Sequence, residues 1–168
     1  MEKARLEQEY TNKIRLALQK ELNLSNSMAV PKIEKIVLNV GVKEAVSNSK
    51  ALGSVVETLE KISGQKVVRR NAKKSIASFK LREGMPIGAT VTLRRKNMYE
   101  FLDRLINIAL PKVRDFQGLS EKLDGQGNYN IGIHDWSIFP EVEFSVGKNS
   151  SGMNISIHTS AKNDEHGR

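Results

Sequence analysis

The chain has 168 residues, one ordinary domain's worth, and a chain of that length can bury roughly 70% of the surface its unfolded form exposes. Cysteine is absent, which excludes disulfides, thiolate catalysis and cysteine-based zinc sites, and the 39% hydrophobic and 27% charged fractions suit a folded protein rather than a disordered tail. No apolar run approaches the ~18 residues of a membrane span, and the charged start MEKARLEQEY does not read as a secretory signal. The 27 Lys and Arg against 19 Asp and Glu leave +8, with an isoelectric point near 9.7, so a polyanionic partner is expected, nucleic acid ahead of an anionic membrane surface.

From the N-terminus, Leu6, Tyr10, Ile14, Ala17, Leu18 and Leu22 recur three and four apart, which predicts a helix over about 2–22 with one apolar stripe. KIEKIVLNVGV (32–42) then alternates. Ile36, Leu38, Val40 and Val42 fall on one side and Lys35, Asn39 and Gly41 on the other, the pattern of a strand with one buried face. A second helix is predicted over 48–63, capped by Ser47, Asn48 or Ser49, striped by Leu52, Val55, Val56, Leu59 and Ile62, and stopped by Gly64. QKVVRR (65–70) reads as a short strand. SIASFKLRE (75–83) also alternates, GMPIG (84–88) has turn chemistry, and IGATVTLRR (87–95) reads as a strand with Val91 and Leu93 inward and Thr90, Thr92 and Arg94 outward.

Asn97 with Glu100, ahead of Phe101, Leu102, Leu105 and Ile106, predicts a capped helix over about 97–110, ended by Pro111. The chain is then irregular until NYNIGI (128–133), where Tyr129, Ile131 and Ile133 alternate. A loop with Pro140 and a Gly/Ser/Asn-rich stretch (147–152) lead to a last strand near MNISIHTSA (153–161). No repeat or dividing linker appears, so residues 1–168 read as a single domain. The order of elements argues an α+β fold: one mostly antiparallel sheet with helices packed on one face. The opposite face then carries Lys35, Asn39, Thr90, Thr92 and Arg94, with Gln65 at a strand's edge. It is rich in donors and acceptors and suited to a polar, anionic ligand.

The charge is not spread evenly. Between Lys66 and Lys96 stand ten cations (Lys66, Arg69, Arg70, Lys73, Lys74, Lys80, Arg82, Arg94, Arg95 and Lys96) and one acid, Glu83, a net +9. The remaining 17 cations and 18 acids nearly cancel. Sprinkled lysines would be a solvated surface. A block holding the whole excess is suited to displacing counterions from phosphates. Within it, the cations at 69, 70, 73, 74, 80 and 82 precede Gly84, Pro86 and Gly88, so a long basic hairpin loop over about 71–86 should project from the sheet. Loops of that size in compact domains are usually functional.

Nothing in the sequence nominates an enzyme, a metal or a cofactor. His134, His158 and His166 lack ligand spacing, and Gly125-Gln126-Gly127 lacks the strand, helix and Lys-Ser/Thr of a phosphate cradle and reads as a turn. Asp115, Asp124, Asp135 and Glu141 are scattered, with no acid–base pair and no G-x-S-x-G. Phe79 fits either a core position or a base-stacking one. The strands 35–41 and 90–94 contain no aromatic residue, so that face cannot stack single-stranded bases as an RRM does. It should read folded RNA through phosphate, 2′-hydroxyl and groove contacts. An enzyme with a basic channel would need converging titratable groups. A membrane-surface module would need its cations on an amphipathic helix rather than on strands and a loop.

KIEKIVLNVGV, GQK, KKSIASFKLREGMPIGATVTLR, MYEFLDRLINIALPKVRDFQGL, GNYNIGI, IFPE and GMNISIHTSAKNDE together resemble the bacterial large-subunit ribosomal protein number five family, over about residues 30–165. The resemblance implies a non-catalytic α+β protein of the ribosome's central protuberance, cytoplasmic with the ribosome and without a cofactor. It would bind 5S rRNA with its sheet face and lie near 23S rRNA and neighbouring ribosomal proteins. Its loop would approach the P-site tRNA, and its edge would touch a small-subunit head protein. By position, Asn39, Gln65 and Thr92 match the family's 5S rRNA contacts, and Lys35, Lys66, Thr90 and Arg94 complete the expected surface. Lys73, Lys74, Ser75, Phe79, Lys80, Arg82, Gly84, Met85 and Pro86 match the tRNA-proximal loop, and Arg70 is expected to act with them. Three departures stand out: Gln117 and Gln126 replace the family's usual arginines, Val146 to Ser151 reads unlike the family loop, and the family's C-terminal helix is expected to be missing, since the sequence stops at His-Gly-Arg.

Overall fold

The computed structural model describes residues 3–46, 48–114, 116–142 and 151–167. Five strands form one antiparallel sheet: β1 (Ile33–Gly41), β2 (Val68–Asn71), β3 (Pro86–Leu93), β4 (Tyr129–Ile133) and β5 (Met153–Thr159). Their order is β2-β3-β1-β5-β4, and helices pack on the sheet. The α+β class expected from the order of elements is the class observed. The helices are α1 (Arg5–Glu9), α2 (Arg15–Glu21), α3 (Ser49–Ser63), α4 (Arg95–Arg104) and a single terminal turn, α5 (Asp164–Gly167). The family difference expected at 146–151 lies outside the described residues except for Ser151, as do the candidate cap Ser47 and Asp115.

The chain divides into two compact units, residues 1–36, 93–131 and 156–168 in one and residues 37–92 and 132–155 in the other. In the second unit β1 alternates as its sequence requires, with Leu38 and Val40 fully buried and Asn39 and Gly41 exposed. α3 supplies the helical complement, burying Leu52, Val55, Val56, Leu59 and Ile62, each side chain contributing roughly 1.5–3 kcal/mol by leaving water. Asn48 caps α3 by accepting from Lys50 N at 3.0 Å, and Gly64 ends it at φ 62°, a conformation a Cβ would penalise. Trp136, Ile138, Phe139, Met153 and Ile155 complete this unit's core.

In the first unit α4 buries Met98 and Phe101, and the π-helical turn that continues it (Leu105–Ala109) buries Leu105 and Ala109. α4 begins two residues before the expected Asn97 cap. Arg94 is extended, Arg95 takes φ 52°, and Arg94 makes no side-chain capping bond, so Asn97 and Glu100 lie within the helix instead of at its mouth. The N-terminal helix is likewise less regular than its stripe suggests. A π turn (Tyr10–Ile14) separates α1 from α2, and none of its residues is fully buried; Ile14 and Leu16 remain exposed. Specific polar contacts hold it instead: Tyr10 donates its hydroxyl to Pro31 O (2.8 Å), and Arg5 grips the Asp103 carboxylate through Nη2 (2.5 Å) and Nε (3.2 Å). Gly125-Gln126-Gly127 is a turn, as expected, with φ 87° and 74° at its glycines and backbone N–H groups of both donated to Asp164.

The segment 75–83 is not a strand. Ile76 and Leu81 exchange both backbone hydrogen bonds (3.0 Å each) around a single 3-10 turn, Ala77–Phe79, with Lys80 at φ 54°. The local alternation that suggests a strand lacks a partner long enough to extend it, so the chain folds back on itself.

Gly88 sits where β3 closes on β1. A Cβ there would lie 2.9 Å from the Val40 carbonyl oxygen, a backbone atom that cannot swing aside. Gly88→Ala should therefore cost about 1–3 kcal/mol, seen as a lower urea midpoint at an unchanged slope; a wild-type midpoint would mean the strands can part freely. Asp103 is held below the ordinary carboxylate range, chiefly by the hydrogen bond from Arg5 and further by Arg5's charge and Asn107. Its stabilising contribution is thus complete above the unfolded carboxylate value and lost as pH falls through the lowered folded one. Asp103→Asn should flatten the acid limb of a stability-versus-pH curve relative to wild type; a limb identical to wild type would mean that the Arg5 contact contributes nothing to folding.

Candidate nucleic-acid interface

β2 and β3 pair antiparallel with Val68 opposite Thr90, Arg69 opposite Ala89 and Arg70 opposite Gly88, after which the register shifts so that Asn71 meets Pro86. Residues directly opposite share a face, and every second residue along a strand returns to it. Val68, Arg70, Thr90 and Thr92 therefore lie on one face, while Ala89 and Val91 lie on the buried one. Arg70, expected in the loop, is a strand residue on the same face as Thr92. Pro86 is the first residue of β3, so the loop proper is 72–85.

Thr90 needs correction. It lies on the expected face, opposite Val68, but is not accessible there: it is 6% exposed and its hydroxyl donates to Leu38 O at 3.0 Å. A hydroxyl used within the sheet is closed to a ligand. Thr92 is half-buried and its hydroxyl has no partner among the described residues, and Asn39 is exposed with a free side-chain amide among them. Gln65 is exposed and donates Nε2–H to Thr92 O at 3.1 Å, which ties the α3–β2 link to the end of β3. Lys66 beside it is exposed. All of these belong to the second unit. Of the expected surface, Lys35 (half-buried, on β1) and Arg94 (exposed, just past β3) belong to the first.

The loop is closed at its neck by Ala72 N–H to Met85 O (2.8 Å) and Gly84 N–H to Ala72 O (3.0 Å), with Gly84 at φ 83°. Ser75 is exposed, yet its Oγ accepts from Glu83 N across the loop at 2.9 Å, and Met85 Sδ accepts from Arg82 N. These two residues hold the loop's shape. Lys73, Lys74, Lys80 and Arg82 are exposed, and Phe79 is 67% exposed, which settles its two readings against the core. Phe79 also lines an open apolar hollow with Val42, Val46, Leu81 and Ile87, rimmed by Lys43 and Lys80.

The electrostatics repeat the sequence asymmetry. Among the described residues, Lys96 alone of the block's ten cations has an ion pair, to Glu100 at 3.5 Å. Unneutralised like charges on one short hairpin repel. No cluster of three or more metal-ligating side chains occurs among the described residues, and no described helix is long and apolar enough to cross a membrane.

Sequence comparisons agree with this chemistry. Residues 26–82 match the family described as Ribosomal protein L5, and residues 86–168 match the C-terminus of the same ribosomal family. The boundary falls within the loop and its exit. Three curated proteins named Large ribosomal subunit protein uL5 align along nearly the whole chain. That of Acidobacterium capsulatum is 58% identical over 166 residues, covering 98% of this chain and 91% of its own. That of Syntrophotalea carbinolica is 58% identical over 165 residues, covering 98% and 90%. That of Brachyspira hyodysenteriae is 54% identical over 164 residues, covering 97% and 88%. A sheet with spare polar groups, a hairpin of unpaired cations and matches spanning nearly every residue lead to one conclusion: the chain belongs to the ribosomal protein L5 family, of the bacterial type, a non-enzymatic constituent of the large ribosomal subunit.

Proposed function

We propose that this protein docks 5S rRNA in the central protuberance of the large subunit through the outward face of β1 and β3, and approaches the P-site tRNA through the loop 72–85. The observation that carries this reading is the set of nine cations without an ion pair among the described residues, next in sequence to a face on which the Asn39 amide and the Thr92 hydroxyl have no partner among them. Lys66, Arg69 and Arg70 supply attraction and on-rate. Asn39, Gln65 and Thr92 supply position-specific hydrogen bonds, with Lys35 and Arg94 as flanking cations and Thr90 serving the sheet rather than the RNA. At the loop, Lys73, Lys74, Lys80 and Arg82 face the tRNA, Phe79 adds a stacking surface, and Ser75, Gly84 and Met85 keep the loop in shape. Contacts with 23S rRNA, with neighbouring proteins of the protuberance and with a small-subunit head protein complete the reading.

If about five to eight phosphates are neutralised, the log–log dependence of 5S rRNA affinity on salt should have a slope on the order of −4 to −7. Filter binding across a salt series measures it, and a flat response would sink the reading. Thr92→Ala should weaken 5S rRNA binding by roughly 1–2 kcal/mol with little loss of stability. Thr90→Val should do the reverse, lowering the urea midpoint while binding holds. Exchange of those two phenotypes would mean the faces are assigned wrongly. Replacing 73–84 by a short Gly linker, beyond the hydrogen-bonded neck, should spare 5S rRNA binding and weaken P-site tRNA retention on reconstituted ribosomes.

A further inference from the structure

The Gln65 side chain can act as a fixed reader only if the backbone carrying it is fixed, and the last turn of α3 supplies that restraint. Gly64 turns the chain out of the helix in the left-handed region and lacks a Cβ, so by itself it leaves the link 64–67 free to pivot. Two α3 side chains remove that freedom. Ser63, 4% exposed, donates its hydroxyl to Gln65 O at 3.1 Å and accepts from Gln65 N at 3.3 Å, so both backbone polar groups of Gln65 close on one hydroxyl. Glu60 Oε1 accepts from Val67 N at 3.2 Å, fixing the other end of the link, and Val67 is itself buried. Between these two points Gln65 directs its Nε2 to Thr92 O.

The result is a carboxamide with a defined remainder. One N–H is used by Thr92, while Oε1 has no partner among the described residues. An amide oxygen held beside a cationic hairpin accepts from a donor on the RNA, either a ribose 2′-hydroxyl or a base amino group. We infer that Ser63 and Glu60 are positioning residues for RNA recognition: they hold Gln65 so that its Oε1 meets a hydrogen-bond donor of the bound RNA, without touching the RNA themselves. This rests on the docking reading above. Helical periodicity carries no hint of it, because Ser63 and Glu60 lie in the helix's final turn, where a serine and a glutamate read as ordinary end-of-helix residues.

The test is a double-mutant cycle on the full chain, read as affinity for 5S rRNA at several salt concentrations. Ser63→Ala should raise Kd about threefold to tenfold with the salt slope unchanged, because no phosphate contact is removed. In a Gln65→Met background, where no amide remains to be positioned, Ser63→Ala should add no further loss. Glu60→Met should behave like Ser63→Ala, and Glu60→Gln, which keeps an acceptor for Val67 N, should restore binding. Single 2′-deoxy substitutions scanned along the RNA should erase the effect of Gln65→Met at one position if the donor is a 2′-hydroxyl and preserve it at every position if the donor is a base amino group. A loss that is additive in the Gln65→Met background, or no loss at all, would overturn the positioning role while wild-type binding stood. Absence of wild-type binding to 5S rRNA would instead overturn the docking reading and this inference with it. Urea midpoints of each variant separate the two classes: a purely structural residue would lower both midpoint and binding irrespective of what occupies position 65.

Discussion

A strand covered on one face hides every second side chain, and β1 is where that constraint governs this protein. Leu38 and Val40 point to the core, so Asn39 between them must point away. A one-residue slip would bury the amide and expose two aliphatic side chains, an exchange no neighbouring contact offsets. The buried set under α3 and the polar set on the reverse are thus one decision, and the second cannot be altered without the first.

The same constraint explains why nearby residues of similar type have different fates. Thr90 and Thr92 share a face, yet Thr90 is paired with Val68 on one flank and gives its hydroxyl to Leu38 O on the other, whereas Thr92 lies where β2 has not yet begun. Strand parity assigns a side chain to a face. Whether that side chain is then available depends on which strands flank it, which is a tertiary fact. The charge obeys a simpler rule: cations on a hairpin without acids opposite stay unpaired, and their mutual repulsion is relieved by a polyanion.

Much of this is legible in the sequence. The alternation of 32–42, the stripe and Gly64 stop of α3, and the concentration of charge between 66 and 96 all rest on local periodicity or counting, and each has its counterpart in the fold. The failures have equally definite causes. The run 75–83 alternates but lacks a partner strand, and Ile76 and Leu81 pair with each other instead. Asn97 and Glu100 have the spacing of a capping box, but the helix begins before them, at Arg95. Arg70 resembles loop because its neighbours are lysines; only the pairing with Gly88 shows that it is strand. Local patterns fix what a segment prefers, and contacts distant in sequence select among those preferences.

The bulge between Arg70 and Asn71 has an effect beyond its own two residues. Because β3 spends an extra residue, Ile87, between Pro86 and Gly88, the inside–outside count restarts at the hairpin's neck. The segment 72–85 and the strands that carry it are therefore out of phase with each other by construction. Residues can be gained, lost or exchanged in that segment without changing which side chains of β2 and β3 face the core.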